Sequence, residues 1–280
     1  MSEEEQKAII HRILIALDAS PASMAAMEAA AELAERLDAE LLGLFVEDID
    51  LLRLSDLPIA RLIGLHSASV SQINREQVEQ SLRAQANQVR RALEEMAQRG
   101  KLRMKFRVAR GSITNELVQA ALEADLIILG KAGWSQRQKL GSTALSMIKR
   151  SPGHAMFLQH GARIAHAVGV IYDGSLLSVR ALWLAASILP VPAAGLSILL
   201  LADRVELAQQ LEPEVERWLV EHNFHGHTHW VHGPGGKRLA HLVRAEHLGI
   251  LVLPAQMEGL HEAELEEFLN ETSTPALLVR

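Results

Sequence analysis

The sequence predicts an α/β protein made of two successive copies of one domain, each a five-stranded parallel β-sheet with helices on both faces. Three observations predict this architecture. Short apolar runs alternate with helical segments, which is typical of covered parallel sheets. The pattern restarts at residue 166 with its elements in the same order, which indicates an internal duplication. The 280 residues are 49% hydrophobic and 22% charged, a globular composition with room for two domains.

The first copy opens with RILIALD, a buried strand that ends in an acidic residue. Pro21 and Ser23 then introduce an alanine-rich amphipathic helix. The predicted strands cover residues 12–18, 40–48, 102–110, 125–129 and 154–159. The predicted helices cover residues 24–37, 75–98, 114–124 and 144–150.

Residues 48–74, between the second strand and the long charged helix, are predicted to be irregular. The segment is apolar without helical regularity, and a connection of this length is usually functional or mobile. Because it follows strand two, we expect it over the carboxyl edge of the sheet. It fits a lid over a ligand, a docking surface for another protein, or a packed Ω-loop equally well. Its apolar residues are Leu51, Leu52, Leu54, Leu57, Ile59, Leu62, Ile63 and Leu65.

The second copy opens with HAVGVIYDGS, which repeats the shape of RILIALDAS. Its predicted strands cover residues 166–175, 196–203, 224–233, 249–254 and 275–280. Its predicted helices cover residues 182–190, 206–222, 237–247 and 262–270. HGARIAH, residues 160–166, is the expected linker. The expected domains are therefore residues 1–160 and 164–280.

Composition and charge exclude several classes of function. The net charge is −6 and the basic residues are scattered, which argues against nucleic acid or an anionic membrane as a partner. No apolar run reaches the roughly 18 residues of a spanning helix. The start, MSEEEQKAII, lacks the features of a signal peptide, so a cytoplasmic location is expected. The absence of cysteine excludes disulfides and thiolate zinc sites.

Five segments together resemble a tandem universal stress protein: RILIALDASPAS, VGVIYDGSLLS, RGSITNELVQAALEADLIILGKAGW, HAMFLQ and PALLVR. The resemblance covers nearly the whole chain, and residues 48–74 are its least covered part. It implies two Rossmann-like domains of the adenine nucleotide alpha hydrolase type, each with strand order 3-2-1-4-5. The chain reverses direction between strands one and four of that order, and ligands bind at the carboxyl ends of strands beside such a switch point.

The glycine loop, residues 130–143 (GKAGWSQRQKLGST), lies at that switch point. Nucleotide-binding members of the family carry Gly, two residues, Gly, nine residues, then Gly and Ser or Thr. Here seven residues separate the second and third glycines, so the loop is two residues shorter. Its last three residues still open a helix whose free N–H groups and dipole can hold phosphate.

The resemblance implies that the first domain binds ATP, with or without magnesium. The adenosine end would contact Leu17, Asp18 and Val46. The phosphates would contact Leu129, Gly130, Gly133, Gly141, Ser142 and Thr143, with countercharge from Lys131, Arg137 and Lys139. The alternative is that the glycines only turn the chain and Ser142 only caps a helix. Trp134 fits stacking on a base, or covering the core or a partner.

The second copy lacks the same loop. Pro254 stands where the first copy has Gly130, and no Gly-x-x-Gly or Gly-Ser-Thr follows. Asp173 and Ser175 keep the strand-one half of the site. The segment after strand four is acidic, and its carboxylates would repel phosphate. They are Glu258, Glu262, Glu264 and Glu266. We therefore expect no ATP in this half.

FHGHTHWVH places His225, His227 and His229 on one face of a strand, because strand side chains alternate. Such a pair, spaced i, i+2, can share a zinc ion if further ligands are available. The favoured interpretation is a solvated edge strand, where polar residues discourage strand addition. Zinc binding is the less favoured interpretation.

Three functional hypotheses remain from the sequence. The first is a cytoplasmic stress-response protein whose first domain binds an adenine nucleotide as a regulatory ligand. The second is a nucleotide-free interaction scaffold. The third is a weak ATPase or autokinase acting at Ser142 or Thr143, although no catalytic motif is present and a non-enzyme is expected. In each case HAMFLQ and PALLVR would join the domains as an intramolecular pseudo-dimer, and a further homodimer stays open.

Overall fold

The computed structural model describes residues 10–56, 61–63, 70–72, 74–131, 140–159, 167–190, 194–233, 235–257 and 260–280. Ten strands form the main sheet. In the first half they are β1 (Arg12–Leu17), β2 (Glu40–Asp48), β5 (Met104–Gly111), β6 (Leu126–Gly130) and β7 (His154–Leu158). In the second half they are β8 (Val168–Tyr172), β9 (Leu196–Leu201), β10 (Gly226–Val231), β11 (Ile250–Pro254) and β12 (Ala276–Val279).

Nine helices lie within the described residues. Those of the first half are α1 (Pro21–Leu37), α2 (Ile49–Ser55), α3 (Arg75–Gly100), α4 (Ile113–Ala121) and α5 (Ser142–Arg150). Those of the second half are α6 (Leu176–Ser187), α7 (Val205–Glu221), α8 (Gly236–Ala245) and α9 (Glu262–Glu271). Among the described helices, none is both long and apolar enough to cross a membrane.

The strand order is β10-β9-β8-β11-β12-β7-β6-β1-β2-β5. Within each half the strands are parallel and follow the order 3-2-1-4-5, so the predicted fold class is confirmed. The last strands of the two halves, β7 and β12, pair in antiparallel fashion, with Met156 opposite Leu277. These are the two segments that the sequence offered as the contact between the domains.

Helices cover both faces of the sheet, which explains why the central strands are continuous apolar runs. One core contains buried residues of α1, α3, α6 and α7, for example Met27 and Leu184. The other contains buried residues of α4, α5, α8 and α9, for example Met147 and Phe268. Each core therefore includes residues from both halves of the chain.

The prediction that residues 48–74 are irregular was wrong in part. Asp48 caps α2 by accepting a hydrogen bond from the Asp50 amide, at 3.0 Å. Two further strands, β3 (Arg61–Ile63) and β4 (Val70–Gln72), form a separate antiparallel pair. In α2, Leu52 is buried while Leu51 and Leu54 are exposed. Residues 57–60, 64–69 and 73 lie outside the described residues, as does the expected linker at 160–166.

A second boundary also differs from the expectation. Helix α6 begins at Leu176, six residues before the predicted start at residue 182. Ser175 caps it by accepting a hydrogen bond from the Ser178 amide, at 3.1 Å. The Asp-small-Ser turn of each copy is therefore followed directly by a helix.

Candidate functional site

A cleft of about 300 Å³ opens at the carboxyl ends of β1 and β6. Its position follows from the strand pairing, because β1 and β6 are in register only as far as Ile15 opposite Ile128. Beyond that pair the two strands diverge, as expected at the switch point of an open α/β sheet. Every predicted binding residue that the structure describes lines this cleft: Leu17, Asp18, Val46, Leu129, Gly130, Gly141, Ser142 and Thr143.

Several lining residues were missed by the sequence analysis. Ile113 and Leu117 come from α4, and Leu44 comes from β2. Leu117 and Leu44 also belong to the core on that face of the sheet. Nothing in a local motif indicates them, because Ile113 and Leu117 reach the cleft through the packing of α4 against the sheet and Leu44 through the pairing of β2 with β1. Gly133, Trp134, Arg137 and Lys139 lie outside the described residues.

The turn after β1 is held in place by its own hydrogen bonds. The Asp18 carboxylate accepts a hydrogen bond from the Ser20 amide at 3.0 Å, and the Asp18 amide donates to the Ser23 hydroxyl at 3.4 Å. Ser20 in turn caps α1 by accepting from the Ser23 amide at 3.2 Å. Ala19 takes the left-handed conformation, with φ of 57°, that this tight turn requires. Asp18 is thereby fixed at the rim of the cleft.

The start of α5 forms the opposite wall of the cleft. Gly141 is the N-cap, without a side-chain capping bond, and its own amide donates to the Lys131 carbonyl at 2.8 Å. The first bond inside the helix is donated by the Leu145 amide. The three amides in between, from residues 142 to 144, donate to no acceptor among the described residues. No acidic residue occupies this first turn, so its dipole favours an anion.

The two glycines that flank the cleft have different surroundings. A Cβ on Gly130 would lie 3.0 Å from the Cβ of Ala22, so this glycine allows the end of β6 to approach α1 closely. Among the described residues, a Cβ on Gly141 would meet only the Lys131 carbonyl oxygen, at 3.6 Å. Close packing therefore explains Gly130, whereas no described atom crowds a side chain at position 141.

Both described ends of the glycine loop are bound to the second half of the chain. The buried Lys131 ammonium donates a hydrogen bond to the Thr272 carbonyl at 2.5 Å. The Leu140 amide donates to the Asn270 side-chain oxygen at 2.8 Å. Burial lowers the pKa of Lys131 to about 8. The charge expected to face a phosphate is thus directed at the carboxyl end of α9.

The equivalent region of the second half has different chemistry. The Asp173 carboxylate accepts from the Ser175 amide at 3.0 Å, as Asp18 does from Ser20. After β11, however, the first turn of α9 carries Glu262 and Glu264. The Glu264 carboxylate accepts a hydrogen bond from the His261 amide at 2.8 Å, so it occupies the start of the helix. Negative charge therefore lies at the helix start that corresponds to the α5 amides, which have no acceptor in the part of the chain that the structure describes.

Only two of the three histidines that were predicted to share one face form a cluster in the structure. His227 and His229 lie on β10, at the edge of the main sheet, with ring centroids 4.9 Å apart. Glu246, just after α8, joins them so that one ligand atom from each residue lies within 4.8 Å of the others. His225 precedes the strand and is not part of this group.

Comparison with known proteins places the chain in a family. The model of the Universal stress protein family matches residues 10–156, just over half of the chain. The chain belongs to the universal stress protein family. The match runs from β1 into β7 and therefore includes every residue that lines the cleft of this universal stress protein.

Solved structures reproduce the fold over the full length. A universal stress protein from Archaeoglobus fulgidus is 16% identical, with a TM-score of 0.74 over 96% of this chain and 98% of that one. A functionally unknown protein from Pseudomonas aeruginosa PAO1 is 14% identical, with a TM-score of 0.60 over 99% and 94%. At these identities the likeness shows the fold alone.

A third solved structure, a universal stress protein in complex with cAMP, is 18% identical, with a TM-score of 0.40 over 55% of this chain and 99% of that one. That overall likeness is too low to bear on the present chain. No curated protein matches the sequence at a significant level.

Proposed function

We propose that this universal stress protein is a cytoplasmic regulatory protein that binds ATP in its first half, while its second half is a degenerate partner that does not bind nucleotide. The observation that carries the proposal is the start of α5. Three amides without a described acceptor line a cleft at the switch point of the sheet. Amides at a helix start bind phosphate through hydrogen bonds and the helix dipole.

The remaining lining fits the rest of a nucleotide. Leu17 and Val46 supply an apolar wall, and Asp18 supplies a fixed carboxylate at the opposite side from α5. A cleft of about 300 Å³ lies at the small end of the range for ligand sites. When bound, ATP would supply a regulatory signal rather than a chemical step. The chain's residues would hold its phosphates and orient its adenosine.

The second half fits the role of a structural partner that binds no nucleotide. We propose that residues 1–160 and 164–280 form an intramolecular pseudo-dimer across the antiparallel β7–β12 pair. The carboxylates of Glu262 and Glu264 at the start of α9 disfavour phosphate there, since like charges repel. One ATP per chain is therefore expected.

Gly141→Asp tests the phosphate contact. Aspartate is a better N-cap than glycine, so the variant should fold as well as the parent protein or better by a few tenths of a kcal/mol. Its carboxylate would extend from a position that no described atom crowds, accept from the first-turn amides and repel phosphate. Isothermal titration of the full chain with ATP, with and without Mg²⁺, should give one site for the parent protein and no measurable binding for the variant.

A matched control comes from the second half of the chain. Gly235 is the N-cap of α8 with nearly the same backbone angles, φ −70° and ψ 153° against φ −70° and ψ 161° for Gly141. A Cβ there would meet no atom of the described residues within 4 Å. Gly235→Asp should therefore add the same charge and cap while ATP binding is kept. If the parent protein binds no nucleotide, the scaffold hypothesis replaces this one. If Gly141→Asp still binds, α5 is not the phosphate site.

A further inference from the structure

The face of β10 that carries its histidines is the face on the side of α8. Side chains alternate along a strand, so His227, His229 and Val231 share one face. Val231 packs in the same core as Leu239 and Val243 of α8, which identifies that face as the one toward α8. The opposite face carries Thr228, whose hydroxyl donates to a Glu212 carboxylate oxygen of α7 at 2.7 Å.

Glu246 supplies a carboxylate at the end of α8, facing the two histidines. Its Oε2 lies 3.3 Å from the Nε2 of His229. That Nε2 atom is buried and has no hydrogen-bond partner in the described structure. The distance between His229 Nε2 and Glu246 Oε2 suits two ligands of one zinc ion, because ligands at about 2.1 Å from a tetrahedral zinc lie roughly 3.4 Å apart.

We propose that His227, His229 and Glu246 form a binding site for a divalent cation of the zinc class. Two imidazole nitrogens and one carboxylate oxygen are a zinc ligand set that leaves a fourth position for water. His227 is exposed, so an ion and a water can reach the site from solvent. The carboxyl end of α8 adds a field that favours a cation.

Arg244, in the last turn of α8, is hydrogen-bonded to a neighbouring helix. The Arg244 guanidinium donates to the Glu271 carbonyl, on α9, at 3.4 Å. The sequence suggested His225, His227 and His229. In the structure, Glu246 rather than His225 joins His227 and His229. Glu246 lies outside the histidine motif in the sequence but is close to it in space. This site is separate from the cleft and does not depend on the proposed ATP binding.

Zinc binding by the full chain, without a histidine tag, tests the proposal. Isothermal titration with ZnCl₂ at pH 7.5 should give one site, and Co²⁺ should give the visible absorption of a tetrahedral complex, while Mg²⁺ should not compete. His227→Ala, His229→Ala and Glu246→Gln should each weaken binding by at least about 10-fold, since even outer-shell groups contribute about 10- to 100-fold. Circular dichroism checks that each variant is folded.

His225→Ala is the matched control, because it removes a neighbouring histidine that is outside the cluster. It should leave zinc affinity unchanged within about 2-fold. The proposal is overturned if the parent protein binds zinc no more tightly than Glu246→Gln, in which case His229 and Glu246 form only an ion pair. Equal losses for His225→Ala and His227→Ala would overturn it as well, because binding would then be diffuse.

Discussion

A buried ammonium group, that of Lys131, connects the glycine loop to the second half of the chain. Only 2% of the residue is exposed, and the ammonium's acceptor is the Thr272 carbonyl at the end of α9. Carbonyls at the end of a helix carry partial negative charge, which offsets part of the cost of burying a cation. The residue therefore fixes the end of β6 against α9 and leaves the α5 amides as the main attraction for an anion in the described cleft.

The pH dependence of stability should reveal this burial. Burial lowers the pKa of Lys131 to about 8, below the value of an unfolded chain, about 10.4. Between those values the unfolded state holds a proton that the native state has lost, so stability rises with pH. Relative to Lys131→Met, the parent protein should gain roughly 2 kcal/mol in its free energy of unfolding between pH 7 and pH 10. Urea titrations at both pH values measure this, and a difference that does not change with pH contradicts it.

The helices α5 and α9 show how one element changes between two copies of a domain. Each follows the fourth strand of its half. In α5 the first turn has no carboxylate and its amides have no acceptor among the described residues, whereas in α9 a carboxylate accepts from the His261 amide. Two acidic side chains in the first turn make the start of α9 unfavourable for an anion.

The contact between α8 and α9 leaves no room for a methyl group on Gly236. A Cβ on Gly236 would lie 2.2 Å from the Glu264 carbonyl oxygen and 2.5 Å from the Phe268 nitrogen. Because backbone atoms cannot move aside cheaply, Gly236→Ala should destabilise the protein by about 1–3 kcal/mol. Gly235→Ala, with no described atom within 4 Å, should cost less, about 0.5–1 kcal/mol, because alanine is a poorer N-cap than glycine. Thermal unfolding of both variants measures the contrast, and equal effects would refute it.

The ten strands of the main sheet were predictable from sequence, because apolar runs such as LIIL in β6 are buried and are followed by turn residues, whereas β3 and β4 were not predicted. Helix α2 was not predicted, since seven residues with Leu51 and Leu54 exposed give no amphipathic period. In the cleft, motif residues were predictable and packing residues were not. The bond between Leu140 and Asn270 joins residues 130 positions apart, and no local pattern indicates it.

At the scale of the whole molecule, the two halves share a single sheet and two continuous cores. The pairing of β7 with β12 covers two apolar edges that would otherwise be exposed to other chains. On one face of the sheet, the Arg36 guanidinium of α1 donates to the Ile188 carbonyl after α6, at 2.8 Å. Lys131 and Leu140 are also hydrogen-bonded to the second half, so the positions of these two described ends of the glycine loop depend on how the halves are joined.

His154 makes that junction sensitive to acid. It begins β7, and its Nδ1 accepts a hydrogen bond from the Arg280 amide, just after β12, at 3.1 Å. Burial lowers the pKa of His154 to about 4, from about 6.5 in an unfolded chain. Its contribution is therefore fully present above pH 6.5 and is lost as the pH falls toward 4, because the unfolded state takes up the proton first.

Relative to His154→Asn, which keeps an acceptor but does not titrate, the parent protein should lose roughly 3 kcal/mol of stability between pH 7 and pH 4. Urea unfolding of both proteins at each pH measures the difference. A difference that is the same at both pH values would mean that the imidazole is charged or solvated in the native state. In that case His154 Nδ1 would not be a neutral acceptor for the Arg280 amide at pH 7, and protonation of His154 would not weaken the junction.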